Sequence, residues 1–194
     1  MTAALRIIRD EHRTISAVLH ALKDLARAAQ DPGAKPAFAA LRAMVRYIDE
    51  FPEKLHHPKE DDQLFARLLV RVPDTRALIE KLKAEHVEGA RLVRELERAL
   101  VFFEDRQPEG AREFLDAVNA YAEFHWQHMR KEEQELLPLA ERVLSADDWR
   151  AIDRAFAANE DPIAALDQRD YEKLFTRIAN LAPEPVGLGD AWRK

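Results

Sequence analysis

The segment from Tyr121 to Pro138 lies on an apolar helical stripe that is interrupted by polar side chains. Residues three or four apart share one face of a helix, and this face carries Leu115, Val118, Ala122, His125, His128, Glu132, Leu136, Leu139 and Val143. Imidazoles and a carboxylate inside an apolar seam are costly to bury unless something pairs them. A metal ion is the usual partner, because imidazole nitrogen and carboxylate oxygen are ligands of first-row metals. A single His-x-x-x-Glu pair, however, is also typical of a solvated helix surface.

The pattern gains weight because the chain contains it twice, in the same order. Each unit has a Glu-His pair and, further on, a His-x-x-x-Glu motif: Glu11-His12 with His56 and Glu60, then Glu85-His86 with His128 and Glu132. The following residues agree as well, with KEDDQLF at 59–65 and KEEQELL at 131–137. Two helical hairpins packed with their inner faces together would bring four imidazoles and two carboxylates onto one axis. The repeat therefore predicts a two-metal site, of the kind that holds two iron or manganese ions in helix bundles.

Helical periodicity extends over most of the chain. The spacing predicts long helices over residues 3–29, 37–71, 75–104 and 111–144, joined by short turns that are rich in Pro and Gly. The predicted inward stripe of the third helix begins at Leu78, and that of the first consists of Leu5, Ile8, His12, Ile15, Leu19, Leu22 and Ala26. Pro52 and Pro58 interrupt the second of these helices, since each lacks the N–H that a helix interior requires. The predicted fold class is all-α, an antiparallel up-down-up-down four-helix bundle with two short C-terminal helices.

The domain prediction follows from these elements. Residues 1–144 form the bundle, residues 145–182 form a C-terminal helical extension packed on the bundle, and residues 183–194 form a flexible tail. Ser145 and Asp148 have the spacing of a helix N-cap with a carboxylate three residues on, opening a short helix that ends near Asn159. A second short helix is predicted over 169–181.

Composition narrows the functional classes. The chain of 194 residues has a net charge of −6, no Cys and no basic block. Disulfides, thiolate nucleophiles and Cys-based metal sites are therefore excluded, and neither nucleic acid nor a membrane is an expected partner. The expected location is cytoplasmic, and the oligomeric state is left open, with a homodimer as one alternative.

Four motifs together resemble a known family. EHRTISAVL, HHPKEDDQLF, EHVEGARLV and FHWQHMRKEEQELLP are similar to the motifs of the hemerythrin-like HHE cation-binding family, over about residues 1–144. The resemblance implies a non-haem di-iron centre in a four-helix bundle, with two iron ions bridged by oxo or hydroxo groups and by carboxylates. Manganese and zinc are the alternative metals. The expected small ligands are O2, NO or peroxide.

Carried over by position, the metal ligands are His12, His56, Glu60, His86, His128 and Glu132. Two departures from respiratory hemerythrins stand out: Ala90 replaces a His four residues after the ligand of the third helix, and the last carboxylate follows its His by four residues rather than five. Five residues would select Glu133, but helix geometry favours Glu132, because four residues make nearly one full turn and five do not. The spacing is closer to that of the divergent hemerythrin domains of F-box proteins that sense iron and oxygen.

Other polar residues are candidates for additional ligands or for contacts with the ligands. His125 is a ligand, a hydrogen-bond partner of a carboxylate or a core residue, while His57 is expected to be solvated or to support a ligand rather than to coordinate. Tyr121 could donate its hydroxyl to a bound oxygen species. Glu11 and Glu85 are expected mainly in solvated ion pairs. Gly89 and Ala90 either leave space for a diatomic ligand or allow close helix packing.

Three functional hypotheses follow. The first is a di-iron protein that binds O2 or NO for sensing, scavenging or storage. The second is a di-iron enzyme with oxidase, peroxidase or NO-reducing activity or a role in iron-centre repair, although repair proteins of the family usually carry a Cys-containing N-terminal domain. The third is a metal buffer or a purely structural bundle.

Overall fold

The computed structural model describes residues 2–157, and this part of the chain is entirely helical. The first long helix is α1 (Ala3–Ala28). The second is one continuous rod made of α2 (Phe38–Ile48), π1 (Asp49–His56), α3 (His57–Lys59), π2 (Glu60–Phe65) and α4 (Ala66–Arg71). A 3-10 turn (Pro73–Thr75) precedes the third, α5 (Arg76–Asp105), and the fourth comprises α6 (Gly110–Lys131), π3 (Glu132–Leu136) and α7 (Leu137–Val143). The last described helix is α8 (Ala146–Ala157). The predicted bounds of the four long helices agree with these within one residue.

The inward stripe of the first long helix is confirmed. Its predicted members are all buried: Leu5, Ile8, His12, Ile15, Leu19, Leu22 and Ala26. Thr2 caps the helix, because its side-chain oxygen accepts a hydrogen bond from the backbone N–H of Leu5. The start of the helix and its buried face therefore both follow from local sequence. His12 is the single imidazole on that buried face.

Pro52 and Pro58 do not divide the second helix; the local opening expected at the prolines takes the form of a π segment around Pro52. Pro52 lies inside π1 and Pro58 at the start of α3. A π-helical turn, in which hydrogen bonds run five residues back, absorbs an extra residue and is frequent at functional sites. Three such segments occur in residues 2–157, and two of them begin at Glu60 and at Glu132. The backbone is thus irregular where the candidate ligands lie.

π3 shifts the register of the fourth helix, so one part of the predicted stripe is wrong. Leu137, Ala140 and Leu144 are buried, whereas the predicted Leu139 and Val143 are only partly buried. The prediction assumed an unbroken α-helix, and one extra residue per π turn rotates everything that follows it. Smaller shifts occur elsewhere: Phe114 and Ile79 are buried in place of Leu115 and Leu78.

The apolar core consists of two clusters, one at each end of the long helices. One contains Ile15, Leu19, Met44, Leu96 and Phe114 among its members. The other, at the opposite end of α1, contains Leu5, Ile8, Phe65, Leu82 and Leu137. Where the two clusters meet along the long helices, a set of polar residues is also buried: His12, His56, Glu60, His86, His128 and Glu132. Water is therefore displaced by hydrocarbon above and below them.

α8 packs on the second cluster through Trp149, Ile152 and Phe156. The predicted N-cap is confirmed: the Ser145 hydroxyl accepts from the backbone N–H of Asp148, and the Asp148 carboxylate accepts from the backbone N–H of Ser145. The predicted end of this helix near Asn159, the helix over 169–181 and the tail lie outside the described residues, so the domain boundaries stay predictions. Among the described residues, no helix is long and apolar enough to cross a membrane.

Candidate metal centre

Four histidines meet in two pairs at the middle of the bundle. The Nε2 atoms of His12 and His56 are 3.1 Å apart, and those of His86 and His128 are also 3.1 Å apart. Each pair joins two neighbouring long helices, and each histidine is the imidazole that its helix contributes from the repeat. All four are buried. We refer below to the His12–His56 pair as the first pair and to the His86–His128 pair as the second pair.

Two carboxylates each face both pairs. Glu60 lies with Oε1 3.5 Å from Nε2 of His56 and Oε2 3.7 Å from Nε2 of His86. Glu132 lies with Oε2 3.4 Å from Nε2 of His12 and Oε1 3.2 Å from Nε2 of His128. Both side chains are completely buried. One oxygen of each carboxylate is therefore directed to the first pair and the other to the second pair.

The four carboxylate oxygens have no hydrogen-bond partner, which is an expensive arrangement in a protein interior. Two sets of donor atoms that lie within 4.8 Å of one another share both carboxylates: His12, His56, Glu60 and Glu132, and Glu60, His86, His128 and Glu132. Nitrogen and oxygen donors in this number suit iron, manganese or zinc. The residues present therefore fit two metal ions with two common carboxylates.

The electrostatics of the cluster show what balances the charges in the metal-free chain. Burial raises the pKa of Glu60 well above its ordinary value, and the neighbouring Glu132 adds to this effect. Burial would also raise the pKa of Glu132, but His128, His12 and His86 together outweigh burial and hold that pKa well below its ordinary value. Burial would lower the pKa of His128, yet Glu132 raises it to about 9. Burial and mutual repulsion therefore oppose the ionisation of both carboxylates, and added positive charge at the centre would favour it.

The outward nitrogen of every paired histidine meets a carboxylate. The Nδ1–H groups donate over 2.7–3.1 Å in four contacts: His12 to Glu133, His56 to Glu11, His86 to Asp61 and His128 to Glu85. The expectation that Glu11 and Glu85 serve mainly in solvated ion pairs is wrong, because both bind a buried imidazole. Asp61 was missed; its position next to Glu60, as Glu133 is next to Glu132, was the available signal.

Glu132 and Glu133 differ in burial, as helix geometry predicts. Glu132 has no exposed surface, whereas the side chain of Glu133 is 43% exposed and reaches the outer nitrogen of His12. Its oxygen lies 2.9 Å from Nδ1. Glu133 therefore supports a candidate ligand from outside the cluster rather than pointing between the two histidine pairs.

His57 lies against the second pair. Its ring is parallel to that of His86, with 4.2 Å between centroids, and both of its nitrogens are buried without a hydrogen-bond partner. It forms a further group of mutually close donor atoms with His86 and His128. Of the two roles expected for His57, solvated or supporting a ligand, the solvated one is therefore wrong. Burial lowers the pKa of His57 well below its ordinary value, so the ring is neutral near pH 7 and one of its two nitrogens offers a lone pair.

Tyr121 and His125 lie beside His57, together with a carboxylate that the sequence analysis did not select. The hydroxyl of Tyr121 donates to Glu53 over 2.9 Å, and its ring stacks on His125 with centroids 5.4 Å apart. Glu53 also lies 3.4 Å from Nδ1 of His57, and burial raises its pKa to about 7 despite the hydrogen bond from Tyr121. The signal for Glu53 was its spacing of four residues from His57 on the same helix.

Gly89 and Ala90 do not share one role. A Cβ atom at Gly89 would lie 3.1 Å from the Glu53 carboxylate, so the glycine allows this close approach. Ala90 is exposed. The position at which respiratory hemerythrins carry an additional His therefore faces solvent in this chain, whereas the buried His57 lies next to the second pair.

The comparisons with known proteins agree with this site. A family model described as the hemerythrin HHE cation binding domain matches residues 3–140. No curated protein matches the chain. The matched region includes all four paired histidines and both shared carboxylates.

Proposed function

Because the chain belongs to the hemerythrin HHE cation-binding family, we propose that it holds two iron ions between its histidine pairs. His12, His56, Glu60 and Glu132 would hold one ion, and His86, His128, Glu60 and Glu132 the other. The observation that carries this proposal is that Glu60 and Glu132 each direct one oxygen to each pair. Iron supplies redox chemistry and open coordination positions, and manganese and zinc are the alternative occupants.

The proposed role is the binding of O2 or NO, for sensing, scavenging or storage. Four protein donors per ion leave positions for a small ligand, since iron commonly takes five or six ligands. The apolar clusters at either end of the long helices exclude bulk water from the centre. Such surroundings favour a small neutral ligand over a charged or bulky one.

The proposed topology is the antiparallel up-down-up-down arrangement of four long helices. It is supported by the short connections between them and by the pairing of their mid-points through the histidines. A cytoplasmic location and a homodimer stay predictions.

The test is to load the protein with ferrous iron without air, remove excess iron and then add O2 or NO. We expect two iron ions per chain and a new visible absorption band that is lost on degassing. Zinc alone, or no metal, in protein offered ample iron would favour the metal-buffer or structural hypothesis instead. A Glu132→Ala variant should hold less than one iron ion per chain, and Glu135→Ala is its matched control, because Glu135 is an exposed residue of the same π segment.

A second candidate function is turnover of peroxide or NO by a di-iron enzyme. The observation that favours it is the buried polar group formed by Glu53, His57 and Tyr121 beside the second pair. A carboxyl group with a pKa of about 7 can hold or release a proton near neutral pH. Sustained O2 evolution from peroxide, or consumption of NO with a reductant, would favour this role. Loss of that turnover in Glu53→Gln with iron content unchanged would assign the proton to Glu53.

A further inference from the structure

The four outer carboxylates form a closed ring around the bundle. Each accepts a hydrogen bond from a histidine of a different long helix: Glu133 of the fourth from His12 of the first, Glu11 of the first from His56 of the second, Asp61 of the second from His86 of the third, and Glu85 of the third from His128 of the fourth. Every long helix therefore contributes one outer carboxylate, and its paired histidine donates to the outer carboxylate of a neighbouring helix. The circuit closes because the fourth helix returns to the first.

The ring is part of the internal repeat. Each member is adjacent in sequence to a shared carboxylate or a paired histidine, as in Glu11-His12, Glu60-Asp61, Glu85-His86 and Glu132-Glu133. Neighbouring residues of a helix point about 100° apart. When one of the two points to the axis, the other points sideways, toward the next helix. The two-residue motif thus supplies both an inner donor and an outer acceptor.

We propose that Glu11, Asp61, Glu85 and Glu133 are positioning residues that fix and strengthen the four histidine donors of the metal centre. A carboxylate that accepts from Nδ1–H holds the ring with its Nε2 lone pair toward the axis and increases its basicity. The stronger donors favour the more highly charged ferric ion over the ferrous ion. This inference rests on the proposed iron site. It adds that the four outer carboxylates, which do not themselves bind iron, control how tightly the iron is retained.

The members of the ring are not equivalent. Glu85 also accepts from the Lys131 ammonium, which offsets part of its charge. The side chain of Glu133 is 43% exposed and that of Glu11 is 18% exposed. Water competes for an exposed carboxylate, so its effect on the imidazole is smaller. Glu11, which also makes the shortest contact at 2.7 Å, has the largest expected effect, and Glu133 has the smallest.

The first measurement uses the metal-free protein labelled with 15N-histidine. We expect four slowly exchanging Nδ1–H signals, and Glu11→Gln should shift the one from His56 while leaving that of His86 unchanged. Rapid exchange of all four signals would overturn the ring itself. This result does not depend on iron, so it separates failure of the ring from failure of the proposed function.

The second measurement is the rate at which ferric iron passes from the loaded protein to a chelator. Glu11→Gln should lose iron about 10-fold faster or more, within the range typical for partners of metal ligands. Glu133→Gln should lose it only about 3-fold faster, because water screens its more exposed carboxylate. Glu135→Gln, which removes a charge from the same exposed stretch, should not change the rate. Equal rates for Glu11→Gln and the unaltered protein would overturn the proposal. If Glu11→Gln does not fold, the exposed Glu133→Gln decides it by the same criterion.

Discussion

The two units of the repeat match at the centre and differ around it. In both, a paired histidine is followed four residues later by a carboxylate that opens a π segment, Glu60 in one and Glu132 in the other. The buried residues that follow also match in position: Leu64, Phe65 and Leu68 in the first unit, and Leu136, Leu137 and Ala140 in the second. Equal spacing therefore produces equal inner geometry.

The surroundings of the two units are not equal. The first unit alone carries Pro52 in a further π segment and places His57 against the second histidine pair. In the second unit a lysine, Lys131, binds the outer carboxylate Glu85. In the metal-free chain even the matched carboxylates diverge, because the pKa of Glu60 is raised while that of Glu132 is lowered. Because His57 lies against the second pair, two ions in this site would be inequivalent, although their nearest donors are repeated.

The largest expected effect tests the equivalence of the shared carboxylates. Glu132→Ala and Glu60→Ala should each reduce iron content from two ions per chain to less than one, because each carboxylate faces both pairs. Iron assay after gel filtration measures this, with Glu135→Ala as the control. Retention of one full ion in either variant would mean that its carboxylate serves a single pair.

A stability prediction tests whether π3 sets the register of the second unit. Leu137→Ala should reduce the free energy of unfolding by about 3 kcal/mol, since Leu137 is fully buried, and Leu139→Ala by about 1 kcal/mol. Urea denaturation of the metal-free protein measures both. The reverse ranking would restore the unbroken α-helical register that the sequence pattern favours.

The pH dependence of metal binding tests the charge difference between the units. Metal must displace the proton on His128, whose pKa Glu132 raises to about 9 against the effect of burial. The affinity should therefore rise by about tenfold or more per pH unit up to that pKa and level off above it. Competitive zinc titrations between pH 6.5 and 9.5 measure this slope. An affinity that does not change with pH would contradict the assigned protonation.

The smallest expected effect tests whether His57 makes the two ions inequivalent. His57→Phe should weaken the binding of one of two cobalt ions by about 10-fold, as typical for loss of one group at a metal site. His125→Phe is the matched control, since His125 is equally buried but belongs to none of the close donor groups among the described residues. Two-phase cobalt titration separates the ions. Equal weakening of both ions would contradict a contact of His57 with one side only.

The sequence alone determined the long helices and the inner face of the site. Spacings of three and four residues place His12, His56, His86 and His128 on buried faces, because the helix repeat is local and needs no tertiary contact to be read. The same argument selected Glu132 rather than Glu133 as the inward carboxylate. In the structure Glu132 is buried and Glu133 is partly exposed. The capping pair of Ser145 and Asp148 was equally readable, since it too is local.

Only the tertiary structure decided what surrounds those donors. The pairing of each outer nitrogen with a carboxylate of another helix depends on how the helices are rotated against one another. The burial of His57 and Glu53 depends on packing against the third and fourth helices, and the shift from Leu139 to Leu137 depends on a π turn. Spacing fixes the side of a helix on which a residue lies, whereas its partner is fixed by the neighbouring helix that occupies that side.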